Sequence, residues 1–137
     1  MSRTTRRQFM KTSAAITAGS TFLITGTKAS GNILGANDRV RIAVAGLNGR
    51  GKSHMGGWQS QKNVEIAYVA DPDKNVLAGA VKRLDGKAKG VADIRHAIED
   101  KTVDAVSVAT PNHWHSLITI WAAQAGKHVY VEKPMSH

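Results

Sequence analysis

From position 40 onward, short apolar runs alternate with longer stretches in which apolar residues recur every three or four positions. "VRIAVAG" (40–46) and "VEIAYVAD" (64–71) are rich in β-branched residues, and "VDAVSVATP" (103–111) and "KHVYVEKP" (127–134) repeat the pattern. Runs of this length and character fit strands buried inside a sheet. A fifth, short strand is expected near Gly90 and Val91. "PDKNVLAGAVKRL" (72–84) reads as a helix with Pro72 near its first turn. Asp93 is placed to cap the helix that begins "IRHAIED" (94–100). In "WHSLITIWAAQAG" (114–126), Trp114, Leu117, Ile118, Trp121 and Ala125 fall on one helical face, with Trp114 a core residue and Gly126 closing the helix. Strand–helix alternation of this kind predicts an α/β fold, a doubly wound parallel sheet with right-handed crossovers.

Composition changes the picture only at the N-terminus. The 137 residues carry a formal charge of +9. Five basic and no acidic residues lie in the first 29 positions, whereas 14 basic and 10 acidic residues are dispersed over the rest. The basic residues form no stripe and the few aromatics do not interleave with them, which argues against a nucleic-acid partner. The absence of cysteine excludes disulfides, thiolate catalysis and thiolate metal sites. "TRRQFMK" (5–11), followed by the weakly apolar "TSAAITAGSTFLITG" (12–26), resembles a twin-arginine export signal. That apolar run is shorter than the roughly 20 residues needed to span a bilayer. The expected organisation is therefore an export signal over 1–29, with a candidate cleavage point near Ala29 and Ser30, a linker over 30–38, and one domain over 39–137. The expected location is the periplasm or another exported compartment of a bacterium, reached through the export machinery.

The chemistry centres on "GLNGRGKS" (46–53), which satisfies two patterns at once. As G-x-x-x-x-G-K-S it is a triphosphate-binding loop; as G-x-N-x-x-G it is a variant of the dinucleotide fingerprint. Both hold phosphate on backbone N–H groups where a strand turns into a helix. A triphosphatase needs an acidic residue on a separate strand to hold magnesium, but the run 103–111 ends in Thr110 and Pro111. The dinucleotide pattern needs an acid about 20 residues past the glycines, at the end of the second strand, to bond ribose hydroxyls. Asp71 stands there. Asn48 replaces the middle glycine, a position where its tolerance of positive φ would help, and Gly49 beside it restores some close approach. Lys52 and Ser53 then become surface residues of the first helical turn. His113 and His115 of "HWH" would face different directions on a helix and have no third ligand at metal spacing. No metal is expected.

Three separated motifs, "VAGLNGRG" (44–51), "VATPNHWH" (108–115) and "GKHVYVEKP" (126–134), together resemble the N-terminal part of the Gfo/Idh/MocA family (glucose–fructose oxidoreductase and inositol dehydrogenase). The resemblance covers nearly everything from Val40 onward. It implies a Rossmann dinucleotide-binding domain that takes NAD, with NADP disfavoured by Asp71 unless Lys74 relieves the repulsion. It implies that Gly46, Asn48, Gly49, Arg50 and Gly51 lie against the pyrophosphate and Asp71 against the ribose. Thr110, Pro111, Asn112 and His115 would line the nicotinamide side, and Glu132 and Lys133 would come from the E-K-P signature. Lys133 would be the catalytic residue, assisting proton transfer at the reacting carbinol, a task within reach of a positioned lysine.

What the resemblance implies for the whole enzyme is hydride transfer to or from a sugar or cyclitol. A glycosidase of the same family, working by transient oxidation and elimination, is the alternative. Family members continue past E-K-P into a second α/β domain that contacts substrate, and they form homo-oligomers. The 137 residues end three positions after that signature, so the chain alone is expected to bind dinucleotide and not to turn over substrate. A non-catalytic nucleotide-binding module is the reading from another class.

Overall fold

A computed structural model describes residues 39–136; the expected export signal and linker lie outside them. Five strands form one parallel sheet: β1 (Val40–Ala45), β2 (Val64–Ala70), β3 (Lys89–Val91), β4 (Ala105–Val108) and β5 (His128–Val131). Their order is β3-β2-β1-β4-β5 and every pair is parallel. Four helices make the crossovers: α1 (Arg50–Gln59), α2 (Lys74–Arg83), α3 (Arg95–Ile98) and α4 (His115–Gln124). This is the doubly wound Rossmann arrangement expected from the strand–helix alternation.

The pleat sorts side chains onto two faces. Ile42 and Val44 of β1 join Met55 of α1 and Ala80 of α2 in one apolar cluster. Ala43 and Ala45 join Ala97 of α3 and Ile118 and Ala122 of α4 in the other. The period breaks once. Ile42 pairs with Ile66 but Ala43 pairs with Tyr68, so Ala67 is an extra residue in β2. This bulge sends the consecutive residues Ala67 and Tyr68 to the same cluster, while Ile66 and Val69 face the other.

Local chemistry moves several boundaries. Asp73, not Pro72, starts α2: its carboxylate accepts from Asn75 N at 2.8 Å and Val76 N at 3.2 Å, the geometry of an N-cap. Pro72 lies outside the helix. Asp93 does not take the N-cap position, which falls to Ile94, but from one residue earlier its Oδ1 accepts from Arg95 N at 2.9 Å. The run 103–111 keeps only four residues in the sheet, because past Val108 the chain turns to build a site. "NHW" forms a 3-10 turn, Asn112–Trp114, before α4 begins. The buried face of α4 is His115, Ile118 and Ala122, so Trp114 and Leu117 are exposed at 42% and 38%. The expectation that Trp114 is core is therefore corrected. The 3-10 turn rotates it out of the helical stripe.

Candidate functional site

All five strands end at the same edge of the sheet, and the connections that follow the neighbouring strands β1 and β4 leave it there in opposite directions. Open α/β sheets bind ligands at that reversal. A cleft of about 580 Å³ opens there, within the usual range for small-molecule and cofactor sites. Gly46, Asn48, Asp71, Thr110 and Pro111 line it, together with Asp93, Ile94, Arg95, Trp114, Ile118 and Trp121.

Sterics require two of the loop glycines. Gly46 has φ +79°, and a Cβ there would stand 2.6 Å from Ala109 O. A Cβ on Gly51 would stand 1.8 Å from Gly46 O, so glycine alone lets the first turn of α1 pack on the loop. Gly49 caps α1 at φ +45° and gives no side-chain cap; a Cβ there would meet nothing within 4 Å. No acidic residue lies in the first turn of α1. The positive end of the helix is thus left to an anion. Asn48 is not among the positive-φ residues, so its tolerance of that conformation is not used. Its Oδ1 instead accepts from Gly49 N at 3.0 Å.

Asp71 is fastened where β2 ends. Its Oδ2 accepts from Leu47 N at 3.0 Å and its Oδ1 from Asp73 N at 3.0 Å. One carboxylate therefore ties the glycine loop to the start of α2 while lining the cleft. Across the cleft, Thr110 Oγ1 is a buried hydroxyl without a protein partner. Apolar walls, a buried hydroxyl, a helix N-terminus and a strand-end carboxylate are a donor set that fits a dinucleotide.

The E-K-P segment follows β5 and reaches the same sheet edge. Glu132 N donates to Val108 O at 3.0 Å. Glu132 Oε1 accepts from Arg50 Nε at 2.7 Å and pairs with His54 Nε2 at 2.9 Å. Those two bonds, His54 first and Arg50 second, hold the Glu132 carboxyl at about 2, well below its ordinary range. The same contact raises the Arg50 guanidinium above its ordinary value. Lys133 is exposed in this loop. His115 does not line the cleft. It is 1% exposed, with Nε2 2.8 Å from Thr110 O and Nδ1 2.7 Å from Pro134 O. Its ring bridges the "ATPN" and E-K-P loops, because the helix it starts turns it inward. Asn112 is exposed on the 3-10 turn and is not part of the cleft wall.

Residues 40–137 match the model of GFO_IDH_MocA, an oxidoreductase family with an NAD-binding Rossmann fold. The chain belongs to the Gfo/Idh/MocA family. The chain is 32% identical to a glycosyl hydrolase family 109 protein of a Shewanella species (strain ANA-3), over 99% of this chain and 35% of that protein. It is 40% identical to levoglucosan dehydrogenase of Pseudarthrobacter phenanthrenivorans, over 50% of this chain and 17% of that protein. Among solved structures, GenD2 from gentamicin A biosynthesis, in complex with NAD, superposes with a TM-score of 0.68. That match is 31% identical and covers 72% of this chain and 28% of GenD2. The chain thus spans about a third or less of the length of these relatives.

The family has an NAD-binding Rossmann fold, which agrees with the dinucleotide pattern in "GLNGRGKS". Lys52 is an exposed residue of α1. Sequence reasoning missed the far wall of the cleft, where Arg95 stacks over Trp121 at 5.4 Å and is held by Asp93. It also missed the pairing of His54 with Ser107 at 2.9 Å. A serine inside an apolar strand, facing a helix with a histidine on it, was the available signal.

Proposed function

We propose that this chain is the cofactor-binding part of an exported NAD-dependent oxidoreductase that acts on a sugar or cyclitol by hydride transfer. The observation that carries the reading is Asp71, bonded to Leu47 N at the end of β2 and lining a cleft continuous with the glycine loop. Gly46, Asn48, Gly49, Arg50 and Gly51 would lie against the pyrophosphate at the α1 terminus, the N–H groups of Gly46, Gly49 and Gly51 being bonded to Ala70 O, Asn48 Oδ1 and Asn48 O within the loop itself. Asp71 would accept from the ribose hydroxyls, and Thr110 and Pro111 would face the nicotinamide. Bound there, the nicotinamide supplies a two-electron acceptor and donor of hydride.

The protein's own part is to orient and to move a proton. Lys133 would exchange the proton of the reacting hydroxyl, and Glu132, already bonded to Arg50 and His54, would keep that loop in place. His115 supports the site from beneath, by holding Thr110 and Pro134 through their carbonyls. Relatives named levoglucosan dehydrogenase and glycosyl hydrolase family 109 protein support a carbohydrate substrate. The second reading, a glycosidase with no net redox change, draws on the Shewanella relative, which aligns over 99% of this chain. Export rests on "TRRQFMK" (5–11), and replacing Arg6 and Arg7 by lysine should leave the protein in the cytoplasm.

Titration of the chain with NADH should show saturable binding, and ATP with magnesium should not be hydrolysed. In a protein that carries this chain and turns over substrate, Lys133→Ala should lower kcat by about 10² to 10⁴ while the thermal midpoint stays put. A loss of activity matched by loss of folded protein would make Lys133 structural. NADH that accumulates with substrate identifies a dehydrogenase; product without NADH identifies the glycosidase.

A further inference from the structure

Arg50, His54 and Trp58 stand at i, i+4 and i+8 on α1, a single line of side chains facing β4 and β5. Arg50 and Trp58 each make one side-chain hydrogen bond and His54 between them makes two. Arg50 Nε and His54 Nε2 meet on Glu132 Oε1, while His54 Nδ1 and Trp58 Nε1 meet on Ser107 Oγ, the latter two both at 2.9 Å. Tyr130 of β5 closes the group edge-on, 5.4 Å from the His54 ring and 5.8 Å from Trp58.

Ser107, His54 and Glu132 have the connectivity of a hydrolytic triad, with the imidazole between hydroxyl and carboxylate. Burial excludes that role. Ser107 is 0% exposed in the middle of β4, and its oxygen already receives the Trp58 indole N–H. No substrate carbonyl can reach it. The arrangement serves a different end.

Donor and acceptor accounting orients the ring. The Glu132 carboxylate only accepts, so His54 Nε2 must donate to it. Trp58 Nε1 only donates, so Ser107 Oγ accepts from it and is left with its own proton to give to His54 Nδ1. The Nε2–H tautomer satisfies both ring nitrogens of His54, the Ser107 hydroxyl and the Trp58 indole N–H. The chain of bonds then runs from the β4 interior, through α1, to the loop that carries Lys133. His115 holds the same loop from the other side through Pro134 O.

We propose that His54 is a positioning residue for Lys133: locked by Ser107 and Trp58, it fixes the Glu132 carboxylate and thereby the E-K-P loop. This inference rests on the proposed role of Lys133 for its functional meaning, but its structural content does not depend on cofactor binding.

The test uses the 137-residue chain and three variants, His54→Leu, His54→Gln and Ser107→Ala. Nitrogen-15 imidazole shifts of the unsubstituted chain should report the Nε2–H tautomer at neutral pH. In His54→Leu, amide exchange at Glu132, whose N–H donates to Val108 O, should accelerate by about tenfold or more, the loss expected for a hydrogen bond to a charged group. Exchange in β1 and β2 should not change. Gln presents an amide donor where Nε2 stood, so His54→Gln should recover most of the protection, and Ser107→Ala should lose part of it. An Nδ1–H ring, or exchange at Glu132 that is equal in all four proteins, would overturn the proposal. If His54→Leu fails to fold, the tautomer and the Gln and Ala variants still decide it. NADH titration of the same samples separates the two claims: an unsubstituted chain that binds no NADH counts against the proposed function, whatever the exchange data show.

Discussion

Asp71 spends both carboxylate oxygens on backbone N–H groups before any ligand is considered. Those bonds fix where its negative charge sits, which makes the choice between NAD and NADP a matter of electrostatics. A carboxylate and a phosphate about 4 Å apart repel by about 4 kcal/mol at an effective dielectric of about 20. Even a third of that leaves roughly tenfold preference for the dinucleotide without the 2′-phosphate. Parallel titrations with NAD and NADP should show that ratio, and Asp71→Asn should shrink it; equal affinities in the unsubstituted chain would remove Asp71 from the ribose site. Asp71 was legible in the sequence because its distance from Gly51 follows from strand and helix lengths. Trp114 was not, since a 3-10 turn and a helix start share the same residues and differ only in where the next side chain points. His115 shows the same limit. Its motif places it at the site, but whether it faces the ligand or the core depends on one step of helical rotation.

Elements built by periodicity were easier to read than their ends. Four of the five strands and the helix α4 follow from apolar runs and their spacing, yet β4 is about half the length of its apolar run because the chain beyond Val108 leaves the ladder to form the cleft. The start of α2 depends on a cap. Pro72 and Asp73 both suit a helix start, and only the two bonds from Asn75 N and Val76 N to Asp73 show which residue does the capping. Asp73→Ala should therefore cost about 1 kcal/mol of unfolding free energy, whereas Pro72→Ala, outside the helix, should change it by less. Urea denaturation of the two variants is the check; an Asp73→Ala midpoint equal to the unsubstituted one would mean that the cap contributes nothing. The α1 helix shows the converse. Its amphipathic pattern is weak, with four glycines and tryptophan, histidine and methionine among its residues and neighbours, because one stripe is given to the polar line of Arg50, His54 and Trp58 and not to apolar contact. Polar contacts between elements distant in sequence leave no periodic trace, so that line was invisible until the sheet brought β4 and β5 beneath it.

For the domain as a whole, these long-range polar contacts make stability depend on acid. Glu132 lies at about 2 through His54 and Arg50, against an ordinary 4.5. Asp100 lies at about 2 as well, held first by Thr102 N and its hydroxyl and then by Tyr68 OH, against an ordinary 3.8. Both carboxyls are depressed in the folded state, so the unfolded chain binds protons first as pH falls. Their contribution is complete above about 4.5 and is withdrawn as the pH drops from there toward about 2. The two act at different places: Glu132 joins α1 to the end of β5, and Asp100 joins β2 to the turn before β4. Two single substitutions should therefore flatten the same part of the curve independently. Thermal midpoints of the unsubstituted chain should fall steeply between about pH 4.5 and about pH 2. Glu132→Gln and Asp100→Asn should each start lower at neutral pH and fall less over that window, and the double variant should fall least. Curves that run parallel to the unsubstituted chain throughout the window would mean that neither contact holds the folded state together.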